Sequence, residues 1–268
     1  MFTDKASTTD LAEYLALCHK FADIDTEVAS TEIRAAIRQH DKKSFLAADM
    51  KNMLRLQKMW NASLKTDSPA YSVYSDPYYF CEAWLCWVKY SRRYLRDISS
   101  TKSLYGKSVI ASMQRVKSVL DLGCGAGYTT ASLKELFPRA SVYGTNVPGS
   151  SQFKMSSFLG KRHDFKIFKS HKRVEADLIF ASEYFEHFPD PVDHLIDVIE
   201  TTNFKYILFA NTFSSPAIGH FADYDVNGSK MTGREVGRTF RQTLRDYGYE
   251  KVKTALWNDR PSFWRRSK

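Results

Sequence analysis

The stretch "SVLDLGCGAGYTT", residues 118–130, decides how this chain folds. A short apolar run ends in Asp121, and glycines follow at every second position: Gly123, Gly125 and Gly127. Glycine tolerates positive φ and lets a ligand approach the bare backbone. A helix that begins at such a turn points its N-terminal amides and positive dipole end at the same ligand. The stretch therefore predicts a strand, a turn and a helix that bind a nucleotide-like molecule.

The spacing of the glycines narrows the choice of ligand. A dinucleotide-binding loop needs GxGxxG, and Tyr128 stands where the third glycine would be. A phosphate-binding P-loop needs GK[ST], and no lysine follows here. What remains is Asp-x-Gly-x-Gly-x-Gly, in which the Asp121 carboxylate disfavours a pyrophosphate and suits a ligand with a cationic amino group.

This pattern resembles motif I of the class I S-adenosylmethionine-dependent methyltransferases. The likeness continues along the chain: "DLIFASEYFEHFPDPVDHL" (177–195) resembles the fourth strand and next helix of that family, and "KYILFANTF" (205–213) resembles the fifth strand. The stretch "TFRQTLRDYGYEKVK" (239–253) resembles its late helix, turn and strand. The resemblance implies S-adenosyl-L-methionine as cofactor, bound by Asp121, Gly123, Gly125 and Gly127.

Short apolar stretches alternate with amphipathic ones after residue 106, a pattern typical of a parallel sheet covered by helices. We predict an α/β fold, a Rossmann-like class I methyltransferase sheet with helices on both faces. The predicted strands are 117–122, 140–145, 165–168, 177–182 and 204–210, with a last pair in "YEKVKTALWN" and "SFWRR". The predicted helices are 127–136, 151–159, 190–200 and 233–247.

The first part of the chain has a different pattern of apolar residues. Apolar residues recur at helical spacing within 11–18, 46–60 and 80–88. We therefore predict a helical N-terminal extension over residues 1–105 and a methyltransferase domain over 106–268, with the extension helping to form the acceptor site.

Two positions depart from the family pattern. Asn146 ends the second strand, where an acid usually binds the ribose hydroxyls of the cofactor, and residues 169–171 (Lys-Ser-His) replace an acid beside the adenine. An amide can accept from one hydroxyl and donate to another, so Asn146 is a candidate cofactor ligand. On this view Asn146→Asp would strengthen cofactor binding or leave it unchanged. The departures also leave open a degenerate, non-catalytic protein that binds a nucleotide or a partner.

Polar residues gather where the fourth strand ends. Ligands bind beyond the carboxyl ends of parallel strands, which places Ser182 at the cofactor. Glu183 and His187 are candidates for removing a proton from the methyl acceptor, and their alternative role is architectural. Further candidates for the acceptor pocket are Tyr184, Asn211, His220 and Tyr224.

The net charge of +9 and the 14% aromatic content favour an acidic partner, and DNA or RNA is the acceptor they suggest. Within "WVKYSRRYLR", Arg92 and Arg96 are four residues apart and could hold phosphates from one helix face. The alternatives are a solvated helix face and a small-molecule acceptor.

Other classes of protein are not expected. No apolar run approaches the ~18 residues of a membrane span, and the start of the sequence lacks the pattern of a secretory signal. The four cysteines form no CxxC pair and no metal-ligand spacing. We therefore expect a cytoplasmic protein with free thiols, no membrane contact and no metal.

Overall fold

The computed structural model describes residues 8–42, 50–66, 68–100, 111, 113, 115–256 and 260–267. Its strands are β1 (Ser118–Leu122), β2 (Ser141–Thr145), β3 (Lys166–Phe168), β4 (Leu178–Ser182), β5 (Tyr206–Ala210), β6 (Asp223–Val226), β7 (Ser229–Thr232), β8 (Tyr249–Val252) and β9 (Ser262–Arg266). Seven of them form one sheet in the order β3-β2-β1-β4-β5-β9-β8, and β6 and β7 form a separate two-stranded hairpin.

The first five strands are parallel, and β9 runs antiparallel between β5 and β8. Alternate residues of β1 and β4 belong to two different apolar clusters. Val119 and Leu178 pack in one cluster, and Leu120 and Ile179 pack in the other. Both faces of these strands are thus buried, which explains why they read as nearly continuous apolar runs.

The N-terminal part is helical. Its elements are α1 (Thr8–Ala22), α2 (Thr26–Lys42), α3 (Lys51–Ser63), α4 (Tyr79–Cys86) and α5 (Arg92–Ser100), with a π-helical turn, Trp87–Ser91, between α4 and α5. α2 was not among the predicted stretches. The predicted boundary at 105 and 106 lies outside the described residues, as do residues 46–49 of the second predicted stretch.

Four helices accompany the strands: α6 (Tyr128–Leu136), α7 (Ser151–His163), α8 (Pro191–Thr202) and α9 (Gly233–Asp246). Local signals explain where they start. Ser150 Oγ accepts from the Phe153 amide at the start of α7, Asp190 caps α8 ahead of Pro191, and Thr232 with Glu235 forms a capping box on α9.

The N-terminal helices share one core with the sheet. Tyr14 of α1 and Trp84 of α4 belong to the same buried cluster as Leu133 of α6 and Phe180 of β4. α8 and α9 cover the opposite face through a second cluster that includes Leu195 and Phe240. The predicted Rossmann-like sheet with helices on both faces is confirmed, together with its N-terminal helical region. Among the described residues, no helix combines the length and apolar character needed to cross a bilayer.

Candidate functional site

A cavity of about 350 Å³ opens between the carboxyl ends of β1 and β4 and the N-terminal helices. Its volume lies at the lower end of the range for small-molecule sites, about 300–1,000 Å³. From the sheet side its lining includes Asp121, Gly123, Gly125, Ser182, Glu183, His187 and His220. From the helical side its lining includes Tyr14, Tyr79, Glu82, Trp84, Trp87 and Tyr90. Predicted cofactor and catalytic residues thus meet around one space.

Asp121 is the buried acid of the glycine-rich turn. Its carboxylate is 2% exposed and accepts a hydrogen bond of 2.7 Å from the Thr130 hydroxyl of α6. Burial raises the pKa of Asp121 to about 7, against the smaller opposing effect of the Thr130 bond. A cationic group beside this carboxylate would favour its ionised form.

The three glycines of the turn differ in what a side chain would contact at each position. A Cβ on Gly123 would overlap the ring of Tyr184, so the protein itself fills that space. A Cβ on Gly125, where φ is +54°, would meet no protein atom within 4 Å, and this residue lines the cavity. Gly125 is therefore where the backbone is open to a ligand. Gly127, at the start of α6, packs against the backbone of Ser156 instead.

Asn146 supports the turn from β2. Its Nδ2 donates to the Gly125 carbonyl oxygen at 2.6 Å, and its Oδ1 accepts from the Val147 amide at 2.9 Å. Because the donor holds the loop, an aspartate here would set a carboxylate against a carbonyl oxygen. The expectation that Asn146→Asp strengthens cofactor binding therefore does not fit this contact.

The residues predicted near the adenine lie outside the lining of this cavity. His171 is 6% exposed, and its Nε2 lies 3.0 Å from the Asp197 carboxylate of α8. Lys169 and Ser170 line a separate, open depression beside β3.

Glu183 follows β4 directly in a left-handed conformation, with φ of +51°. A residue other than glycine rarely adopts this conformation, which is often associated with functional sites. Burial and the neighbouring Glu186 carboxylate raise the pKa of Glu183 to about 8, with Arg260 acting in the opposite direction. The Oγ of the preceding Ser182 is buried and has no hydrogen-bond partner among the described residues.

Two imidazoles stand next to these carboxylates. The rings of His187 and His220 are 4.9 Å apart between centroids, nearly perpendicular. Burial lowers the pKa of His187 to about 4, so its imidazole is neutral at physiological pH. Its Nδ1 lies 2.9 Å from the hydroxyl of Tyr74 in the N-terminal part.

Glu186 is fully buried behind the cavity wall. Its carboxylate accepts from Asn211 Nδ2 and, at 2.9 Å, from the backbone amide of Thr212, just after β5. Asn211 was predicted as an acceptor-pocket residue, and the structure places it in contact with Glu186.

The N-terminal helices supply an ionisable group that the sequence reading missed. Glu82 of α4 lines the cavity, and its Oε2 is buried without a hydrogen-bond partner among the described residues. Burial raises the pKa of Glu82 to about 7. An acid within the otherwise apolar "FCEAWLCW" was the available signal. The π-helical turn after α4 contributes Trp87 and Tyr90 to the same wall.

Two predicted acceptor contacts are corrected. Tyr224 has no exposed surface and lies within the apolar cluster between the sheet and α9, so it cannot touch an acceptor. Tyr184 turns away from the cavity, packs beneath Gly123 and places its hydroxyl 2.9 Å from His194 Nε2. Both residues were predicted to line the acceptor pocket because they follow a strand or lie in a loop. Such a position in the sequence does not determine where the side chain points.

The predicted phosphate contact of Arg92 does not fit its burial. Arg92 is 8% exposed, and its guanidinium stacks over the ring of Trp87 at 4.8 Å. Arg96 pairs with the adjacent Asp97 at 2.7 Å, and Arg93 lies 3.9 Å from the same carboxylate. The arginines therefore take part in packing and ion pairs within the N-terminal helices.

A family model described as a methyltransferase domain matches residues 90–254, more than half of the chain. The chain belongs to this methyltransferase family. It is an S-adenosylmethionine-dependent methyltransferase, and S-adenosyl-L-methionine is its cofactor, as motif I implied. The non-catalytic alternative raised by Asn146 and residues 169–171 is thereby set aside. Comparison with curated proteins found no match to the sequence.

One solved methyltransferase structure shares the fold, and a second gives a weaker match. An O-methyltransferase family protein from Burkholderia thailandensis superimposes with a TM-score of 0.55 at 12% identity, covering 90% of this chain and 72% of that one. An O-methyltransferase of a Brevibacillus brevis polyketide multienzyme, in complex with S-adenosyl-L-homocysteine, gives 0.36 at 18% identity. That match covers 57% of this chain and about half, 48%, of the other.

Proposed function

We propose that this methyltransferase transfers the methyl group of S-adenosylmethionine to a hydroxyl oxygen of an acceptor bound in the cavity. The observation that carries the proposal is one shared space: Asp121 and Gly125 line one side, and Glu183, His187 and His220 line the other. The cofactor would lie over the glycine-rich turn. The acceptor would then enter beside the carboxylates and imidazoles.

An oxygen acceptor suits this set of side chains. A hydroxyl is a weak nucleophile until its proton is shared with a base. The candidate bases at the cavity wall are His187 and the ionised form of Glu183, whose pKa is about 8. The Burkholderia thailandensis protein that shares the fold is described as an O-methyltransferase family protein, in keeping with the same choice.

The transfer balances without a further reactant. The acceptor oxygen forms a bond to the methyl carbon while the carbon–sulfur bond breaks. The electron pair of that bond remains on sulfur and gives neutral S-adenosylhomocysteine, and the hydroxyl proton passes to Glu183 or His187. The protein's main contribution is to hold oxygen, methyl carbon and sulfur in line.

A nucleic-acid acceptor rests on the net charge of +9, which attracts phosphates. Arg92, one of the two arginines predicted to hold phosphates, is buried against Trp87. We therefore favour an acceptor small enough for the cavity and treat DNA and RNA as an arm of the test.

The test incubates the protein with radiolabelled S-adenosylmethionine and separate pools of hydroxylated metabolites, DNA, RNA and protein. We expect label in the metabolite pool, on oxygen. Glu183→Gln and His187→Gln should each lower kcat tenfold or more if they take the proton, since general-base catalysis contributes typically 10²–10⁴-fold. Glu250→Gln, an exposed carboxylate paired with Arg265, is the matched control and should leave kcat unchanged.

Label that appears only in amines or thiols would contradict an oxygen acceptor. Label in DNA or RNA would support the alternative, provided that binding weakens by orders of magnitude between about 50 and 200 mM salt, as phosphate contacts require.

A further inference from the structure

Three potential metal ligands converge at the wall of the cavity. One ligand atom from each of Glu183, Glu186 and His220 lies within 4.8 Å of the other two. Glu186 is fully buried and His220 is 6% exposed, so these groups have fixed surroundings rather than free surface rotamers. The three come from the end of β4 and from the loop between β5 and β6, which fold together only at this edge of the sheet.

His220 is the part of this group that points to a ligand. Its Nδ1 lies 2.8 Å from the carbonyl oxygen of Ser215, a contact that requires the proton on Nδ1. The Nε2 then carries a free lone pair, and no hydrogen bond to Nε2 occurs among the described residues. A histidine that donates through one nitrogen to a carbonyl and presents the other is the usual arrangement of a metal-binding imidazole.

Glu186 is oriented in the same way. Asn211 Nδ2 and the Thr212 amide hold its carboxylate from behind, and each oxygen retains a further lone pair. Such outer contacts are what fix ligating carboxylates in metal sites.

The charges of the group also call for a cation. The carboxyl groups of Glu183 and Glu186 lie side by side, and neither has an ion-pair partner within 4.0 Å in the part of the chain that the structure describes. A bound cation would replace the proton that Glu183 otherwise holds. Buried carboxylates are stable when they are paired or coordinate a metal. Two carboxylates and one imidazole form a mixed oxygen and nitrogen set, which suits a divalent cation such as Mn²⁺.

We propose that Glu183, Glu186 and His220 bind a divalent metal ion, of which Mn²⁺ is the representative, and that this ion holds the acceptor hydroxyl for methylation. The inference rests on the proposed function for the identity of the acceptor, but the metal site stands on its own ligands. It replaces the expectation of no metal, which considered only the cysteines.

The cation would change the role of one residue. A metal-bound hydroxyl loses its proton more readily, because the positive charge stabilises the alkoxide. With Glu183 engaged by the cation, that carboxylate would no longer serve as the base. The acceptor class is then any hydroxyl compound whose oxygen can reach an open coordination position.

Metal binding is measured on the full chain, stripped with EDTA and dialysed, with no cofactor or acceptor present. Mn²⁺ is titrated and the free ion is counted by its electron paramagnetic resonance signal. We expect one saturable Mn²⁺ per chain. Glu186→Gln and His220→Gln should each weaken binding tenfold or more, whereas the surface control Glu250→Gln should bind like the wild type.

Folding of each variant is checked by its affinity for S-adenosylhomocysteine. A variant that keeps this affinity within threefold retains the cavity, and if Glu186→Gln loses it, His220→Gln decides the outcome. Absence of a saturable site in the wild type, or unchanged Mn²⁺ affinity in the folded variants, would overturn the metal site.

Methyl transfer separates the metal site from the proposed function. If the stripped protein methylates hydroxyls at the full rate without Mn²⁺, the role of the ion in methyl transfer is refuted and the proposed function survives. Protein that binds one Mn²⁺ through these residues but labels only amines or thiols keeps the metal site and refutes the oxygen acceptor.

Discussion

Replacement of Gly125 by valine should abolish cofactor binding without unfolding the protein. The backbone there is left-handed, with φ of +54°, and a Cβ would meet no protein atom within 4 Å. The side chain would instead occupy the cavity that Gly125 lines. Its direct conformational cost is about 1–2 kcal/mol, the usual penalty for a side chain in this region. This lowers Tm by roughly 2–8 °C in a chain of this size.

The loss of binding should be much larger than this strain. We expect S-adenosylhomocysteine affinity to fall more than 100-fold, equivalent to about 2.8 kcal/mol, as measured by isothermal titration calorimetry. Gly228→Val is the matched control. Gly228 also has a positive φ, of +75°, and open space around its Cβ, but it lies in the exposed β6–β7 turn.

The two variants should show similar decreases in Tm and opposite results in binding. Affinity of Gly125→Val within threefold of the wild type would refute the placement of the cofactor over this turn. An equal loss of affinity in Gly228→Val would show that strain alone, transmitted through the fold, accounts for the effect.

The remaining predictions concern three residues in and around the cavity: Asp121, Asn146 and Trp60. Burial raises the pKa of Asp121 to about 7, so cofactor binding should depend on pH. Because a cationic ligand prefers the ionised carboxylate, cofactor affinity should fall as pH drops below 7 and level off above it. Asp121→Asn should flatten this pH profile. Without cofactor the same raised pKa should make the free energy of unfolding decrease as pH rises from about 4 to 7, because the folded state then holds more protons than the unfolded state. Asn146→Asp should weaken S-adenosylhomocysteine binding by removing the 2.6 Å bond to the Gly125 carbonyl; calorimetry showing tighter binding would restore a ribose-binding role. Trp60→Phe should cost about 1–3 kcal/mol in urea unfolding, because Trp60 Nε1 donates to the buried carbonyl oxygen of His220 at 2.6 Å; an unchanged midpoint would contradict this.

Much of the methyltransferase domain follows from local sequence. The strand, turn and helix around Asp121 and the order of the later strands and helices were predicted from apolar patterning and turn residues, and the structure has the predicted strands and helices within a few residues. These features depend on residues that are close in sequence, so the spacing of apolar residues, with a period of 2 in strands and 3.6 in helices, is enough to predict them. The β6–β7 hairpin was missed although Asn227 and Gly228 form its turn, because its strands are short and polar.

Only the tertiary structure decided which side chains reach the cavity. Arg92 and Arg96 share a helix face by spacing, but packing against Trp87 buries the first and Asp97 engages the second. Tyr224 was predicted to lie in a loop beside the acceptor pocket, whereas its side chain is buried in the core. Side-chain direction and burial depend on neighbours distant in sequence, which no local pattern contains.

The same reason explains the cluster at the cavity wall. Sequence alone identified Glu183, His187 and His220 as polar residues near strand ends, and it determined the family and cofactor through the motif at 121–127. The approach of Glu183, Glu186 and His220 to within 4.8 Å arises because β4 and β5 are neighbours in the sheet and the loop after β5 folds back over β4. Glu82 and Glu183 line the same cavity although they are about a hundred residues apart in the sequence.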